Sequence, residues 1–473
     1  DLSGDGNNTL ILTLPDLLSL SDTTNIFTVN GNEGDRVTGL IDGWVQHGTE
    51  GNYRFYTNSG TILRVALDVH TDVPVIPGVL SSLAELDGSN GFRLDGVTKG
   101  DGFGNSVSNA GDVNGDGFDD VIVGALGADP NGSASGSSYV VFGKAAGFSA
   151  AMDLSSLDGS NGFRLDGVAA EDRSGNSVST AGDVNGDGFD DLIVGAYRAG
   201  YGASGSSYVV FGKAAGFSVA MELSSLDGSN GFRLDGEAAY DRLGYSVSNA
   251  GDVNGDGFDD LIVGAYRAGY GASGSSYVVF GKAAGFSAAM ELSSLDGSNG
   301  FRLDGMGAYD YLGHSVSNAG DVNGDGFGDV IIGAPKADLN GNWSGSSYVV
   351  FGKVSGFSAR VNLSSLDGSN GFRLDGVEAG DQLGSSVSTA GDVNGDGFDD
   401  LIIGADRADP NGSLSGSSYV VFGKASGFSA TMDLSSLDGS NGFRLDGVEN
   451  SSFSGSSVST AGDVNGDGFD DLI

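Results

Sequence analysis

From Gly91 onward one segment of about seventy residues recurs almost verbatim, five times in full and once in part. Its plainest marker is the nonamer Asp-Val-Asn-Gly-Asp-Gly-Phe-Asp-Asp, which begins at Asp112, Asp183, Asp252, Asp392 and Asp463 and recurs at Asp321 with Gly328 in its eighth place. Successive copies are 71, 69, 69, 71 and 71 residues apart. Repetition at this period restricts the fold to an array of like units, each burying its apolar face against a neighbour.

Each unit holds four strand-like segments. Ser-Val-Ser precedes the nonamer, starting at Ser106, Ser177, Ser246, Ser315, Ser386 and Ser457. A β-branched run follows it, as in Leu192-Ile193-Val194. Then come Ser-Tyr-Val-Val-Phe-Gly-Lys, as at Ser138 to Lys144, and Gly-Phe-Arg-Leu-Asp-Gly, as at Gly162 to Gly167. The two middle segments are apolar on both faces, which marks strands covered on both sides. The last alternates, with Phe163 and Leu165 opposite Arg164 and Asp166, and is expected to be a wetter outer strand. The expectation is an all-β protein whose four-stranded antiparallel sheets are blades of a β-propeller, six of them partial or complete. A linear stack of the same sheets would leave an apolar face bare at each end.

The nonamer carries oxygen-bearing side chains at positions 1, 3, 5 and 9 of a glycine-bearing loop. Calcium takes about six to eight oxygen ligands, and alternate side chains of a tight loop can supply most of them. The candidate ligands are Asp112, Asn114, Asp116 and Asp120, with the Phe118 carbonyl at position 7. The other loops give Asp183, Asn185, Asp187, Phe189 and Asp191; Asp252, Asn254, Asp256, Phe258 and Asp260; and Asp321, Asn323, Asp325, Phe327 and Asp329. The last two give Asp392, Asn394, Asp396, Phe398 and Asp400, and Asp463, Asn465, Asp467, Phe469 and Asp471. Gly115 and Gly117 let the backbone wrap tightly. The helical calcium loop is excluded, because it needs a glutamate at position 12, where Val123, Val194, Val263, Ile332 and Ile403 stand here. The loop therefore joins two strands. The position-8 residue points outward on this reading, so Gly328 should leave its loop intact. A metal-free turn rich in Asp, Asn and Gly is the alternative.

Composition fits this picture. With 22 basic and 63 acidic side chains the net charge is −41, which disfavours nucleic acid or an anionic membrane as partner. There is no cysteine, so neither disulfides nor thiol chemistry contributes. No stretch approaches the roughly 20 apolar residues of a membrane span. The chain starts at Asp1 without an initiator methionine and stops at Ile473 within a repeat, so both ends are expected to be cut. Residues 1–73 lack the repeat and read as a small β module, residues 74–84 with Pro74 and Pro77 as a linker, and residues 85–473 as the propeller. Asp1-Leu-Ser-Gly-Asp-Gly looks like half a calcium loop but has Thr9 in place of Asp, and reads as a simple turn.

The order Gly-x-Ser-Val-Ser, Gly-Asp-Val-Asn-Gly-Asp-Gly-x-x-Asp, Leu-Ile-Val-Gly-Ala resembles FG-GAP repeats, which build the N-terminal propeller of integrin α subunits and occur in bacterial surface proteins. The resemblance implies that the nonamers bind calcium between the first two strands of a blade, and that a full ring has seven blades. It also implies an extracellular or cell-surface location. The Phe-Gly of the family survives only at Phe103-Gly104, and its Gly-Ala-Pro only at Gly333-Ala334-Pro335. The connection from Ala145 to Asn161 is long for the family.

Loops on the face opposite the calcium loops differ most from repeat to repeat. They carry Tyr197, Arg198, Tyr201, Tyr266, Arg267, Tyr270, Trp343 and Arg407, residue types that anchor binding surfaces. That face is the candidate site for a protein or glycan ligand. Asp101, Asp172, Asp241, Asp310 and Asp381 recur there and read as turn caps. None of His47, His70 and His314 pairs with a recognisable nucleophile or metal-ligand set, so the segment reads as non-catalytic. The readings that follow are a calcium-binding adhesion or recognition module, the propeller of a secreted hydrolase such as a glycolipid-anchor phospholipase D, and a structural spacer in a large surface protein.

Overall fold

The structure, a computed structural model, describes residues 8–11, 26–32, 35–38, 45–50, 53–58, 61–66, 69–71, 83–283, 285–354, 356–425 and 427–473. The chain divides into two compact units, residues 1–94 with 146–152 and residues 95–145 with 153–473. In the first, Ile26–Val29, Thr61–Ala66, Tyr53–Asn58 and Val45–Glu50 form a four-stranded sheet in that order. Thr9–Ile11, Arg36–Thr38 and His70–Thr71 form a parallel three-stranded one. Val29, Val37, Tyr56, Leu63, Val65 and Val69 make its core. Residues 74–82, with Pro74 and Pro77, and the turn at residues 1–6 lie outside the described residues.

The second unit is built of β-propeller blades. Blade 1 comprises Phe103–Gly111, Asp120–Ala125, Ser137–Val141 and Gly162–Asp166, paired antiparallel in sequence order. Blade 2 repeats this with Ser177–Gly182, Asp191–Ala196, Ser206–Val210 and Gly231–Asp235. Blade 3 has Leu243–Gly251, Asp260–Ala265, Ser275–Val279 and Gly300–Asp304. Blade 4 has Ser315–Gly320, Asp329–Ala334, Ser346–Val350 and Gly371–Asp375. Blade 5 has Ser386–Gly391, Asp400–Ala405, Ser417–Val421 and Gly442–Asp446. Thr460–Gly462 and Asp471–Leu472 begin a sixth. The second and third strands are buried along nearly their whole length, as their unbroken apolar runs require.

The fourth strand departs from expectation. Its alternation holds, since Phe163, Leu165, Phe232, Leu234, Phe301, Leu303, Phe372 and Leu374 are all fully buried while the Arg164 and Arg233 side chains stay 40% and 42% exposed. What departs is its place, because a fifth strand, parallel to the fourth and donated by the next blade, lies outside it. Ala220–Glu222 pairs with Gly162–Asp166, Ala289–Glu291 with Gly231–Asp235, Arg360–Val361 with Gly300–Asp304, and Thr431–Asp433 with Gly371–Asp375. Each donated strand lies in the long connection between the third and fourth strands of its own blade. The same connection carries a phenylalanine that stacks on the preceding blade: Phe217 on Phe163 at 4.0 Å, Phe286 on Phe232 at 4.3 Å, Phe357 on Phe301 at 4.4 Å and Phe428 on Phe372 at 4.5 Å. Stacked rings at this separation add about 0.5–1.5 kcal/mol to their area burial. Blade 5 has no fifth strand among the described residues, and there Leu445 is 44% exposed.

The first strands lie side by side at the inner edge of the array. Ser106 Oγ accepts from Val178 N–H at 3.0 Å, and Ser177, Ser246, Ser315 and Ser386 accept in the same way from Val247, Val316, Val387 and Val458. The valines so bonded are 4–8% exposed, whereas Val107 in the first strand of blade 1 is 63% exposed. Val107, Asn109 and Val121 line a cleft of about 640 Å³ together with Val458, Thr460 and Ile473 from the last strands.

Phe301 is fully buried between its own blade and the next. Phe301→Ala is expected to cost about 3–5 kcal/mol. In hydrogen exchange, the loss of protection should be largest across blades 3 and 4. Uniform protection and an unchanged denaturation midpoint would contradict an inter-blade role.

Candidate functional site

Each nonamer folds around its first aspartate. Asp112 Oδ1 accepts from the N–H of Gly115 at 2.7 Å and of Asp116 at 3.0 Å, while its Oδ2 accepts from Gly117 N–H at 2.8 Å. Asp116 Oδ1 accepts from Phe118 N–H at 3.0 Å. The position-9 aspartate is buried and anchors the loop to the sheet. Asp120 Oδ2 accepts from Val113 N–H at 3.2 Å, and its Oδ1 from Gly143 N–H at 2.9 Å. Burial pushes this carboxyl up to about 7 in Asp120 and Asp400, and to about 8 in Asp191, Asp260 and Asp329, with the carboxylates at positions 1 and 5 adding to the rise.

Position 8 points out of its own loop, and the Asp321 loop with Gly328 there keeps its internal hydrogen bonds. The position-8 carboxylate reaches the loop of the preceding blade: Asp190 Oδ2 accepts from Asp112 N–H at 2.8 Å, Asp259 from Asp183 at 2.9 Å, Asp399 from Asp321 at 2.7 Å and Asp470 from Asp392 at 2.9 Å. Gly328 lacks this carboxylate, and its N–H donates to the Asp252 carbonyl at 3.0 Å, closer than the 3.3–3.4 Å of the same bond from Asp190, Asp259 and Asp470. The position-7 ring makes a second link. A Cβ placed on Gly115 would collide with Phe189, and one on Gly324 with Phe398. These two glycines, at φ +75° and +72°, are therefore required twice over, by the turn and by the neighbouring ring.

Among the described residues, no three Asp, Glu, His or Cys side chains are gathered so as to hold a metal ion as they stand. The loops nonetheless have the chemistry of a hard-cation site. Asn323 Oδ1 and Asn394 Oδ1, both at position 3, are buried oxygens with no donor. The raised position-9 carboxyls are groups that a nearby cation would return to the charged form.

On the other side of the sheets, the loops between strands two and three meet the connections that lead to the next blade. Ser133, Ala134 and Ser135 accept from the N–H of Glu171, Arg173 and Ser174 at 2.7, 3.0 and 3.0 Å. Asp172, Asp241, Asp310 and Asp381 accept there from the N–H three residues earlier, at 3.0, 2.9, 2.6 and 3.1 Å, which is the turn-capping role. Tyr197 and Tyr266 join a chain of rings across blades 2 to 4. Tyr197 contacts Tyr245 at 5.6 Å, Tyr245 contacts Tyr266 at 4.4 Å and His314 at 5.1 Å, and Tyr266 contacts Tyr311 at 5.4 Å. Arg198 and Arg242 both sit over the Tyr197 ring, at 5.7 and 5.5 Å, and Arg267 lies 5.5 Å from the Tyr266 ring. Lys336 lies between the rings of Tyr311 and Trp343, at 4.6 and 5.0 Å.

Not all the candidate residues converge. Tyr201 and Tyr270 are over 90% exposed. Tyr201 borders a separate cavity of about 560 Å³ with Asp172, Tyr208 and Arg233. Arg407 lies beside Asp406 in blade 5. The sequence reading missed Arg242, Tyr245, Tyr311 and Lys336 and set His314 aside. Their signal was the same as that of the residues it found, namely variation between repeats at one position, as in Gly102, Arg173, Arg242, Tyr311, Gln382 and Phe453.

FG-GAP repeats match at residues 103–141, 174–210, 243–279, 312–350 and 383–421, the first three strands of each complete blade. The chain is an integrin alpha-like FG-GAP repeat protein. It is 34% identical over 181 residues to integrin alpha-PS5 of Drosophila melanogaster, covering 37% of this chain and 16% of the relative. It is 31% identical over 227 residues to integrin alpha-V of Gallus gallus, covering 47% and 19%. A phosphatidylinositol-glycan-specific phospholipase D of Dictyostelium discoideum matches at 28% over 217 residues, covering 41% and 21%. The matches thus span about a fifth of these relatives' length. Among the described residues no helix is long and apolar enough to cross a membrane.

Two outcomes test the geometry. Asp399→Ala removes the acceptor for Asp321 N–H and should cost about 1–3 kcal/mol in denaturant unfolding. For His314, burial is the main cause that holds its imidazole below the ordinary value, with Lys336 contributing. The unfolded chain therefore takes up the proton first, so stability should fall as pH drops below about 6.5. His314→Asn, the residue of repeats 1 and 2, should remove that part of the acid sensitivity, and an unchanged pH profile would contradict the assignment.

Proposed function

We propose that this propeller is a calcium-stabilised extracellular recognition module that takes a protein or glycan ligand on the face opposite its nonamer loops. The observation that carries the reading is the distribution of differences between repeats. Sheets and nonamers are near-copies, while the variable positions of blades 2 to 4 put tyrosine, histidine, arginine and lysine into one contiguous cluster. A rigid scaffold carrying variable aromatic and basic groups is the usual plan of a binding surface. The integrin relatives support an extracellular setting and a protein ligand.

In each loop the residues that would hold calcium are those at positions 1, 3, 5 and 9 with the position-7 carbonyl, from Asp112, Asn114, Asp116, Phe118 and Asp120 through to Asp463, Asn465, Asp467, Phe469 and Asp471. Calcium would supply the positive charge that the clustered carboxylates and the donorless Asn323 and Asn394 oxygens lack. Because position 8 and the position-7 ring link a loop to that of the preceding blade, ordering the loops would also stiffen the array. The second reading is a non-catalytic propeller of a secreted hydrolase, which the phospholipase D match favours.

Chelation with EDTA should lower the melting temperature, and calcium should restore it. Each occupied site contributes about 2.7 kcal/mol at a hundredfold excess over the dissociation constant. An identical melt with and without chelator would discard the calcium reading. Screened against an array of extracellular proteins and glycans, the propeller should show a specific ligand whose binding falls when Tyr201, Tyr270 and Trp343 are changed together to alanine. Binding untouched by that triple change would place the ligand elsewhere.

A further inference from the structure

In this acidic chain the arginines of the fourth strands are neutralised locally. Arg164, Arg233 and Arg373 pair with Asp166, Asp235 and Asp375 at 2.6, 2.8 and 2.7 Å. The arginines of the aromatic cluster are treated differently. Among the described residues, Arg242 and Arg267 form no ion pair, and Arg198 has only Glu171, at 3.8 Å. The Nε and Nη1 of Arg242 and the Nε of Arg198 are buried with no acceptor. Burial, and then the neighbouring charges of Arg198 and Arg267, push the Arg242 guanidinium below its ordinary value. Cations are thus gathered and left short of acceptors in a protein of net charge −41. Backbone strain sits at the same place. Arg242 and Tyr311 hold φ values of +64° and +60°, in the left-handed region that residues with a side chain rarely adopt. The same turn position is left-handed in the other blades too, at Arg173, Gln382 and Phe453, so this backbone belongs to the turn and fixes where the side chains of Arg242 and Tyr311 start.

Resting on the recognition reading above, we propose that the cluster of Tyr197, Tyr245, Tyr266, Arg198, Arg242 and Arg267 binds an acidic glycan, with sugar rings on the tyrosine faces and a carboxylate or sulfate on the guanidiniums. Guanidinium N–H groups match the paired oxygens of either anion. Aromatic faces suit the flat C–H surface of a pyranose. A glycan fits the charge balance better than an acidic protein does. A short oligosaccharide brings a few anionic groups directly to the arginines, whereas an acidic protein presents a broad charged surface to the field of the whole molecule.

The test is calorimetric titration of the full chain in calcium with trigalacturonate, a chondroitin sulfate hexasaccharide, cellohexaose and poly-glutamate. The expected result is that one or both acidic sugars bind at least about tenfold more tightly than cellohexaose and poly-glutamate, and that added salt weakens them. Binding of trigalacturonate shows that a carboxylate suffices, and loss of affinity on passing from the chondroitin sulfate hexasaccharide to the unsulfated chondroitin hexasaccharide shows that the anion is sulfate. Arg267→Gln, on an exposed side chain, and Arg242→Gln should each lower that affinity about tenfold at an unchanged melting temperature. If Arg242→Gln fails to fold, Arg267→Gln decides. Acidic sugars no better than cellohexaose, poly-glutamate as tight as the sugars, or affinity unmoved in Arg267→Gln would each overturn the proposal. Should the acidic sugars fail while an array ligand still loses affinity in the Tyr201, Tyr270 and Trp343 triple variant, only this proposal falls and the recognition reading stands.

Discussion

No complete blade of this propeller finishes its own sheet. The fourth strand of blade 1 is closed by Ala220–Glu222 from blade 2, and Phe163 is capped by Phe217 from the same connection. An open strand edge and a bare aromatic ring are both costly in water, and here the next repeat covers both at once. Blades 2, 3 and 4 are treated alike, while blade 5 shows the uncovered state, with Leu445 exposed where Leu165, Leu234, Leu303 and Leu374 are buried. Stability in such an array resides in the joints as much as in the units.

The nonamers extend the same logic to the edge of the sheets. Within a loop, the first aspartate gathers the backbone amides and the ninth ties the loop to the sheet. Between loops, the position-8 carboxylate and the position-7 ring lock each loop to the one before. A motif that looks like an isolated cation site is thus also a joint of the array. At the blade 3 to blade 4 joint, Gly328 lacks the carboxylate link, and the loops meet there through the backbone hydrogen bonds of Gly328 N–H to the Asp252 carbonyl and Lys353 N–H to the Val253 carbonyl.

The two faces of the sheets serve different ends. The nonamer face is uniform and its left-handed residues are glycines, which adopt that conformation freely. On the opposite face the left-handed positions include Arg173, Arg242, Tyr311, Trp343 and Gln382, where such a backbone is strained. That is where the rings and cations of blades 2 to 4 assemble, held by turns capped through Asp172, Asp241 and Asp310.

The four antiparallel strands of each blade, the strand-to-strand placement of the nonamers and the turn-capping aspartates were legible in the sequence, because each depends on residues close together in the chain and repeats at a fixed period. The fifth strand was not. Ala-Met-Glu has no strand character of its own, and it pairs only because the preceding blade offers an open edge. The partner of the outward position-8 aspartate was not legible for the same reason, since it is an amide 78 residues away. Tyr197 and Tyr266 could be picked out singly, but not their meeting through Tyr245 or the gathering of Arg198, Arg242 and Arg267. Sequence determined the unit and its loop chemistry, which are local. Tertiary structure decided what the units do to each other, because packing one repeat against the next is what brings residues about seventy positions apart into contact.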